Sequence, residues 1–163
     1  MGNPVMRRPQ SPVRPTRRAI LQGLSGGGAG LAGGALAARG SAAAEEKAIE
    51  LVRRLTGRRA TASNRVRLEM PAAFPNGYTV PMTLEVDSPM TDADHVRQVR
   101  VLAPGNPLIE VADFRFTPRR GRARVSTRIR LAKPQEVLAV AEMSDGNLLL
   151  TRTWVKVDIN GCA

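Results

Sequence analysis

A short amphipathic helix is predicted immediately after residue 44. The apolar residues between Glu45 and Leu55 recur at helical spacing: Ala48, Leu51, Val52 and Leu55. Acidic residues stand in the first turn and arginines near the last, an order that suits the helix dipole. Gly57 is expected to end this helix, because glycine is common just past a helix terminus.

Beyond Gly57 the apolar pattern changes to short stretches rich in Val, Ile, Leu, Thr and Arg. These stretches lie near residues 65–70, 78–87, 95–103, 109–117, 122–132, 135–143 and 148–159. Turn-forming sequences separate them, among them PNG at 75–77, APGNP at 103–107, PRRG at 118–121 and SDGN at 144–147. The pattern predicts an all-β fold, an immunoglobulin-like antiparallel β-sandwich preceded by the short N-terminal helix.

The stretch RARVSTRIRL illustrates a two-sided strand. Its arginines share one face: Arg122, Arg124, Arg128 and Arg130. The other face carries Ala123, Val125, Thr127, Ile129 and Leu131. The arginine face would suit an acidic partner or small anions, and it would equally suit the solvated side of a half-buried sheet.

The last predicted strand leads directly to the only cysteine of the sequence. Thr153, Val155, Val157 and Ile159 alternate with Arg152, Trp154, Lys156 and Asp158. Cys162 follows three residues after Ile159, so an extended segment would hold its sulfur ~10 Å beyond the sandwich. A residue so close to the end of the sequence is poorly placed to enter a core, and we expect an exposed thiol.

Residues 1–44 are predicted to be an export signal of the twin-arginine (Tat) type. The stretch TRRAILQ at 16–22 contains the arginine pair Arg17 and Arg18, and a weakly apolar Gly/Ala-rich run follows it. This run would make a poor membrane span, and the small residues before Glu45 predict cleavage near Ala44. The alternative interpretation is a Gly/Ala-rich cytosolic linker.

Removal of the signal changes the charge of the protein. The full sequence has 25 Lys and Arg residues, 14 acidic residues and a net charge of +11. Six of those arginines and none of the acids lie before Glu45, which leaves 19 basic and 14 acidic residues, a net charge of +5. Most of the support for nucleic-acid binding is lost, and three Phe, one Tyr and one Trp make a stacking surface for single strands improbable.

Motifs of enzymes and metal sites are missing from the sequence. It contains no CxxC, HExxH or P-loop and no paired metal-ligand spacing, so we expect neither enzyme activity nor a cofactor. His95, the single histidine, stands at a predicted strand start, where a surface or hydrogen-bonding role is expected. A nucleophilic pair of Cys162 with His95 is the alternative, although spacing suggests no third, orienting residue.

A resemblance to a known family rests on four motifs within Val80–Gly146. These are DSPMTDADHV, FRFTP, VSTRIRLAK and VAEMSDG, in that order. The sequence resembles the SoxY family, the sulfur-carrier subunits of bacterial thiosulfate oxidation. The resemblance implies a non-enzymatic periplasmic carrier that pairs with a SoxZ-like subunit, is presented to the enzymes of the Sox pathway, and contacts no membrane once its signal is removed. It also implies a sulfur intermediate bound covalently to Cys162.

The expected domains are the signal at 1–44, a SoxY-like sandwich with its helix at 45–159, and a carrier arm at 160–163. In the family this arm is rich in glycine around the cysteine, whereas here it reads Asn160, Gly161, Cys162 and Ala163. The arm is therefore shorter and stiffer, and the nearby terminal carboxylate disfavours the thiolate. Two alternatives remain: a divergent adaptor with altered carrier activity, or an unrelated periplasmic thiol protein, for instance a disulfide-linked dimer.

A partner surface is predicted along Leu148–Val155. The run LLLTRTWV places three leucines and Trp154 near a sheet edge, and a SoxZ-like sandwich would cover part of this apolar surface in a heterodimer. The alternative is that Leu148, Leu149 and Leu150 are core and turn residues.

Replacement of both Arg17 and Arg18 by Lys is predicted to leave the protein in the cytoplasm, because the arginine pair is the feature that the Tat pathway reads. Fractionation of cells that express the variant measures this directly. Normal periplasmic amounts of the variant would refute the signal assignment.

Overall fold

The computed structural model describes residues 32–158. The chain divides into two units, residues 1–36 and residues 37–163, and the fold described below is that of the second. The twin-arginine pair, Ile159 and the arm at 160–163 lie outside the described residues. Among the described helices, none is long and apolar enough to cross a membrane.

Helix α1 (Ala32–Thr56) precedes the strands and begins well before the predicted start at Glu45. The prediction was wrong at this end because it took the Gly/Ala-rich segment for signal sequence only, whereas alanine has the highest helix propensity of all residues. Ile49 joins the predicted Ala48 and Val52 on the buried face of α1. Leu55, expected on that face, is exposed.

Gly57 ends α1 as predicted. Its φ of 73° lies in the left-handed region, and its N–H donates to the Arg53 carbonyl at 2.8 Å. This conformation is accessible to glycine at low cost, and the bond satisfies one of the last carbonyls of the helix.

The strands of the described part follow α1. They are β1 (Thr61–Ala62), β2 (Val66–Glu69), β3 (Ala73–Phe74), β4 (Val80–Val86), β5 (Val96–Leu102), β6 (Glu110–Arg115), β7 (Ala123–Ile129), β8 (Gln135–Met143) and β9 (Leu148–Val157). The seven longer strands confirm the predicted stretches. Strands β1 and β3 were not predicted, because two-residue strands leave no alternating pattern in a sequence.

Two sheets pack face to face, which confirms the predicted sandwich. The larger has the order β1–β9–β8–β5–β6, with β3 also paired to β9, and the smaller has the order β2–β4–β7. All pairings are antiparallel except those of β1 and β3, which run parallel to β9.

The larger sheet packs against other elements on both of its faces, and its outer face is covered in part. Its inner face packs against the smaller sheet in the main core, which includes Val66, Met82, Leu84, Val99, Val101, Val137 and Val155. Its outer face is covered by α1 in a second core formed by Ala48, Ile49, Val52, Ala60, Leu102, Leu138, Val140, Leu148 and Leu150. Burial of these side chains stabilises the helix on the sheet, at about 1.5–3 kcal/mol for each large one.

The β8–β9 turn is stabilised by an aspartate side chain. The backbone N–H and the side-chain amide of Asn147 donate to the two carboxylate oxygens of Asp145 at 2.8 and 2.7 Å. The backbone bond is the main cause that holds the pKa of Asp145 below its ordinary value. This contribution to stability is therefore present at neutral pH and is lost as the pH falls through the lowered pKa.

Replacement of Gly77 by Ala is predicted to destabilise the fold by about 2 kcal/mol or more, because the added methyl group overpacks a backbone contact. A Cβ at Gly77 would overlap the Leu131 carbonyl oxygen, and the Leu131 N–H donates to the Gly77 carbonyl at 2.7 Å, so the two backbones cannot separate without breaking this bond. Urea unfolding measures the loss. The control Gly57→Ala meets no neighbouring atom and is expected to lose only about 1 kcal/mol through backbone strain. Equal losses in the two variants would contradict the close contact.

Candidate functional site

The start of the predicted carrier arm is fixed by the last strand, although the arm itself lies outside the described residues. Beyond Val155, the last residue of β9 that β8 pairs, β3 takes over the pairing through Ala73 with Lys156 and Phe74 with Val157. The Lys156 N–H donates to the Ala72 carbonyl at 2.9 Å, and the Asp158 N–H to the Phe74 carbonyl at 3.3 Å. These bonds hold the strand as far as Asp158, the last residue that the structure describes.

The end of the sandwich at which β9 ends is here called the arm end. It is built by residues 70–79, 103–109 and 130–134, because β4, β6 and β8 begin there and β2, β5 and β7 end there. The opposite end, here called the far end, is built by residues 87–95, 116–122 and 144–147. Asp158, the last described residue before the predicted arm, therefore lies at the arm end.

A buried amide ties two loops of the arm end together. Gln135 is 5 % exposed and accepts from the Gly105 N–H at 2.6 Å, while its own amide donates to the Asn106 side-chain oxygen at 2.9 Å. Asn106 in turn donates to the Arg130 carbonyl at 2.8 Å and accepts from the Ala132 N–H at 2.8 Å. This connected network leaves none of the buried polar groups in it unsatisfied, and it fixes the loops beside the arm.

The sole histidine lies at the far end. His95 is half-buried; its backbone N–H donates to Ser144 Oγ at 3.1 Å, and its ring Nδ1 lies 3.0 Å from the Thr91 carbonyl oxygen. The expected hydrogen-bonding role is thus confirmed.

The position of His95 excludes the alternative of a Cys162–His95 nucleophilic pair within one chain. His95 lies just before Val96, which is level with the Leu148 end of β9, ten residues from Asp158 and therefore roughly 30 Å from it. Four further residues reach at most about 14 Å, so Cys162 cannot approach this histidine.

The arginine face of β7 is exposed, as either interpretation requires. Arg124 pairs with Glu85 at 3.3 Å, and Thr83 and Ser126 lie 3.0 Å apart on the same outer face. Thr127, expected among the inward residues, is exposed instead. An acidic partner for this face stays a prediction.

The prediction that Leu148, Leu149 and Leu150 belong to an exposed partner surface is wrong. Leu148 and Leu150 are buried beneath α1, and Leu149 packs against the main core on the opposite face. A strand buried on both faces has apolar residues in succession, and this was the alternative interpretation. Trp154 alone is 59 % exposed.

The described residues offer no metal site. Among residues 32–158, no group of three or more His, Cys, Asp or Glu side chains is placed to hold a metal ion. None of the loops at the arm end that the structure describes contains histidine or cysteine.

The fold and site define a class of protein: an immunoglobulin-like β-sandwich whose last strand leads to a single cysteine outside the described core. The family model described as "Sulfur oxidation protein SoxY" matches residues 52–162, a range that includes the cysteine. The chain belongs to the SoxY family, which confirms the resemblance inferred from its motifs.

Solved structures agree with this assignment. The sulfur carrier protein SoxY from Chlorobium limicola f thiosulfatophilum matches with a TM-score of 0.56 and 26 % identity, over 71 % of this chain and 99 % of its own. A superoxide reductase (neelaredoxin) from Ignicoccus hospitalis matches with a TM-score of 0.52 and 18 % identity, over 58 % of this chain and 81 % of its own, and shows likeness of fold alone. No curated protein sequence matches the chain.

Replacement of His95 by Ala is predicted to leave the reactivity of Cys162 unchanged, because the two residues cannot meet. The rate of alkylation of Cys162 by iodoacetamide, measured across pH 6–10, should give the same profile in both proteins. A profile displaced along the pH axis in the variant would show that the histidine influences the thiol and would contradict the geometry.

Proposed function

We propose that this protein carries sulfur intermediates of thiosulfate oxidation, bound covalently to Cys162, as the SoxY-like subunit of a periplasmic complex with a SoxZ-like partner. The observation that carries the proposal is the family match through residue 162 together with a final strand held to its last residues. The sequence places Cys162 four residues past the described end of this strand.

The chemistry needs only a thiolate on the carrier. In the loading step the Cys162 thiolate and thiosulfate, S₂O₃²⁻, form a new S–S bond and lose two electrons to an oxidising partner enzyme, which gives a cysteine S-thiosulfonate. Water then releases sulfate and two protons, and the Cys162 sulfur keeps a persulfide anion. The loading step balances only with an external electron acceptor, and the hydrolysis balances with water. In this proposal partner enzymes catalyse both steps, and the carrier holds and delivers the sulfur.

The surroundings of the arm suit this passive role. His95 is too far away to act as a base for the thiol, and the described loops at the arm end supply neither histidine nor cysteine. A carried group must enter active sites of other proteins, so the anchored strand and a short arm outside it present the sulfur without obstruction. The loop network around Gln135 keeps the arm end in one shape during these encounters.

The export signal and the partner belong to the same proposal. The twin-arginine stretch at 16–22 supports the periplasm, and the Tat pathway would allow the carrier to cross with a bound partner. Membership of the SoxY family supports a SoxZ-like subunit as this partner.

A second candidate function is that of an adaptor with altered carrier activity. The arm sequence Asn160, Gly161, Cys162 and Ala163 favours it, because a glycine-rich arm would be more mobile. In this function the chain still binds a SoxZ-like partner and does not load sulfur from thiosulfate.

Replacement of Cys162 by Ser is predicted to abolish all sulfur adducts while leaving the unfolding midpoint unchanged, because the cysteine lies outside the described core. Intact-protein mass spectrometry after incubation with thiosulfate and the family's loading enzymes measures the adducts. Adducts that persist on the Ser variant would contradict the proposed attachment site. If none form on the wild type with active enzymes, the carrier proposal fails and the adaptor stands. Insertion of two glycines after Cys162 tests whether low mobility of the arm limits loading. If it does, the variant should form more sulfur adducts than the wild type; if Cys162 does not accept sulfur at all, the insertion should change nothing.

A further inference from the structure

The positive charge of the protein is concentrated in one segment. Between Asp113 and Glu136 the sequence contains seven arginines, one lysine and no acidic residue. Residues 45–163 have a net charge of +5, so the part of this range outside the segment has a net charge of −3. Strand β7 lies in the middle of the segment, and its surroundings therefore attract anionic groups.

One edge of β7 has no partner strand among the described residues. Strand β7 is the last strand of the smaller sheet and pairs only with β4. At the other end of this sheet β2 lies against β9, where Thr153 Oγ1 donates to the Leu68 carbonyl at 3.1 Å. Strand β7 therefore lies toward β6, the last strand of the larger sheet, and the free edges of β6 and β7 border the same side of the sandwich.

The ladder of the smaller sheet shows which backbone groups lie at the free edge of β7. The Asp87 N–H, just past β4, donates to the Arg65 carbonyl, just before β2, at 2.7 Å. Backbone groups alternate in direction along a strand. Those of Glu85 therefore also point toward β2, whereas those of Leu84 and Met82 point toward β7.

Strand β7 continues this alternation. The partners of Leu84 and Met82 are Val125 and Thr127, whose backbone groups therefore point back toward β4. The N–H and C=O groups of Arg124, Ser126 and Arg128 point away from the sheet, and none of them has a backbone partner within residues 32–158. A row of unpaired backbone groups of this kind is what an added strand pairs with.

Side chains that face the main core remain partly exposed along the same side of the sandwich. Val125 of β7 and Phe114 of β6 pack against the main core without being fully buried, and Thr127 is exposed. By contrast, Val99 on the interior strand β5 is completely buried. An added strand would bury this remaining apolar surface.

The side chains beside this edge on the outer face of β7 are basic. Arg124 pairs with Glu85 at 3.3 Å and keeps about half of its side-chain surface exposed. Arg128 is exposed and forms no ion pair with any described residue. The other carboxylate of this face, Glu69, stands on β2, with β4 between it and β7. A strand added at β7 would therefore lie beside arginines, with both carboxylates behind them.

A second copy of the chain fits this edge poorly. In a symmetric antiparallel pair centred on Ser126, Arg124 of each copy would stand directly opposite Arg128 of the other. Like charges in directly opposed positions are destabilising, and charged side chains on an edge strand are one way in which proteins avoid pairing with themselves. The same arginines favour a strand of opposite charge.

We propose that the free edge of β7 binds an extended acidic segment of a different protein, which adds to the smaller sheet as a fourth strand. The carboxylates of this segment lie opposite Arg124 and Arg128 on the outer face. Apolar residues that alternate with the carboxylates cover Val125 and Phe114. This interaction goes beyond the carrier function and does not involve Cys162.

The test measures binding of a fluorescein-labelled peptide to the full chain by fluorescence anisotropy. The peptide is as long as β7, seven residues, and alternates glutamate with valine. Its charge control replaces every glutamate by lysine and keeps the valines. The acidic peptide should bind saturably and about tenfold more tightly than the basic one, because its charges are opposite to those of Arg124 and Arg128.

Two methylated forms of the acidic peptide separate strand pairing from charge attraction alone. Residues opposite Arg124 and Arg128 face β7 with their backbone groups, so N-methylation of the glutamate amides removes the donors of the new ladder. This form should bind about tenfold more weakly or worse. Its matched control carries the methyl groups on the valine amides, which point away from β7, and should bind like the unmodified peptide.

The edge itself is tested by the variant Ser126→Pro. Proline removes the N–H at the centre of the free edge and no bond to β4, and binding of the acidic peptide should fall by about tenfold or more. The matched control Ser126→Ala loses the same hydroxyl contact with Thr83 and keeps the N–H, so it should bind like the wild type. Circular dichroism melts show whether both variants are folded.

The charge of the edge is tested by the double variant Arg124→Glu/Arg128→Glu. It should bind the basic peptide more tightly than the acidic one, because the opposed charges are exchanged. The control Lys47→Glu/Arg54→Glu makes the same change of net charge at exposed residues of α1, on the outer face of the larger sheet, and should keep the preference of the wild type.

Three results would overturn the proposal. The first is no saturable binding of the acidic peptide up to about 1 mM. The second is equal binding of the two methylated peptides, which would leave charge attraction without strand pairing. The third is a dimer of the wild type that sizing chromatography detects without peptide and that Ser126→Pro abolishes, which would assign the edge to a second copy. None of these measurements involves Cys162, so their failure is distinct from a failure of the carrier proposal.

Discussion

Strand β9 contributes to both hydrophobic cores and has pairing partners at both of its edges, and the rest of the structure depends on this arrangement. Its inner face closes the sandwich core with Val155 and Val157, and its outer face holds α1 through Leu148 and Leu150. One edge pairs with β8, and the other receives β1 and β3 at opposite ends of the strand. A strand fixed in this way cannot slip by one residue without reversing two buried faces.

This constraint explains how the fold can serve, in the proposed function, chemistry that takes place on other proteins. The ladder holds the chain in a defined position as far as Asp158, four residues before the cysteine in the sequence. The single histidine lies at the far end, where its ring Nδ1 contacts the Thr91 carbonyl oxygen and its backbone N–H donates to Ser144. The fold therefore supplies position, and in the proposed function the enzymes that receive the carrier supply the bases, metals and electron acceptors.

Much of the fold could be predicted because a strand or helix with one buried face has apolar residues at a regular spacing in the sequence, and because glycine is common at helix ends. The longer strands, the Gly57 helix end and the buried Ala48 and Val52 all followed from such patterns. The prediction failed where a strand packs against other elements on both of its faces. Leu148 and Leu150 pack on one face and Leu149 on the other, so the three leucines are consecutive in the sequence and were interpreted as an exposed apolar surface. It also missed β3, because its pairing with β9 depends on contacts distant in sequence.

The sequence predicted the chemistry of the candidate site, which is that of a thiol, but it did not predict which residues surround the site. A single cysteine after a strand pointed to a presented thiol, and four family motifs pointed to sulfur. The separation of His95 from that thiol required the strand register, and the burial of Leu148 and Leu150 next to an exposed Trp154 required the position of α1 on the sheet. Neither has a local sequence signal, because each depends on which strands are neighbours.

The central claim is that all sulfur carried by this protein is held on Cys162. Its most direct test is a peptide map of the protein purified, without reductant, from cells that contain the complete thiosulfate-oxidising system and are supplied with thiosulfate. The account predicts thiosulfonate or persulfide masses on the tryptic peptide that begins at Val157 and on no other peptide. Sulfur adducts on a different peptide, or none on this one while the cells oxidise thiosulfate, would contradict it.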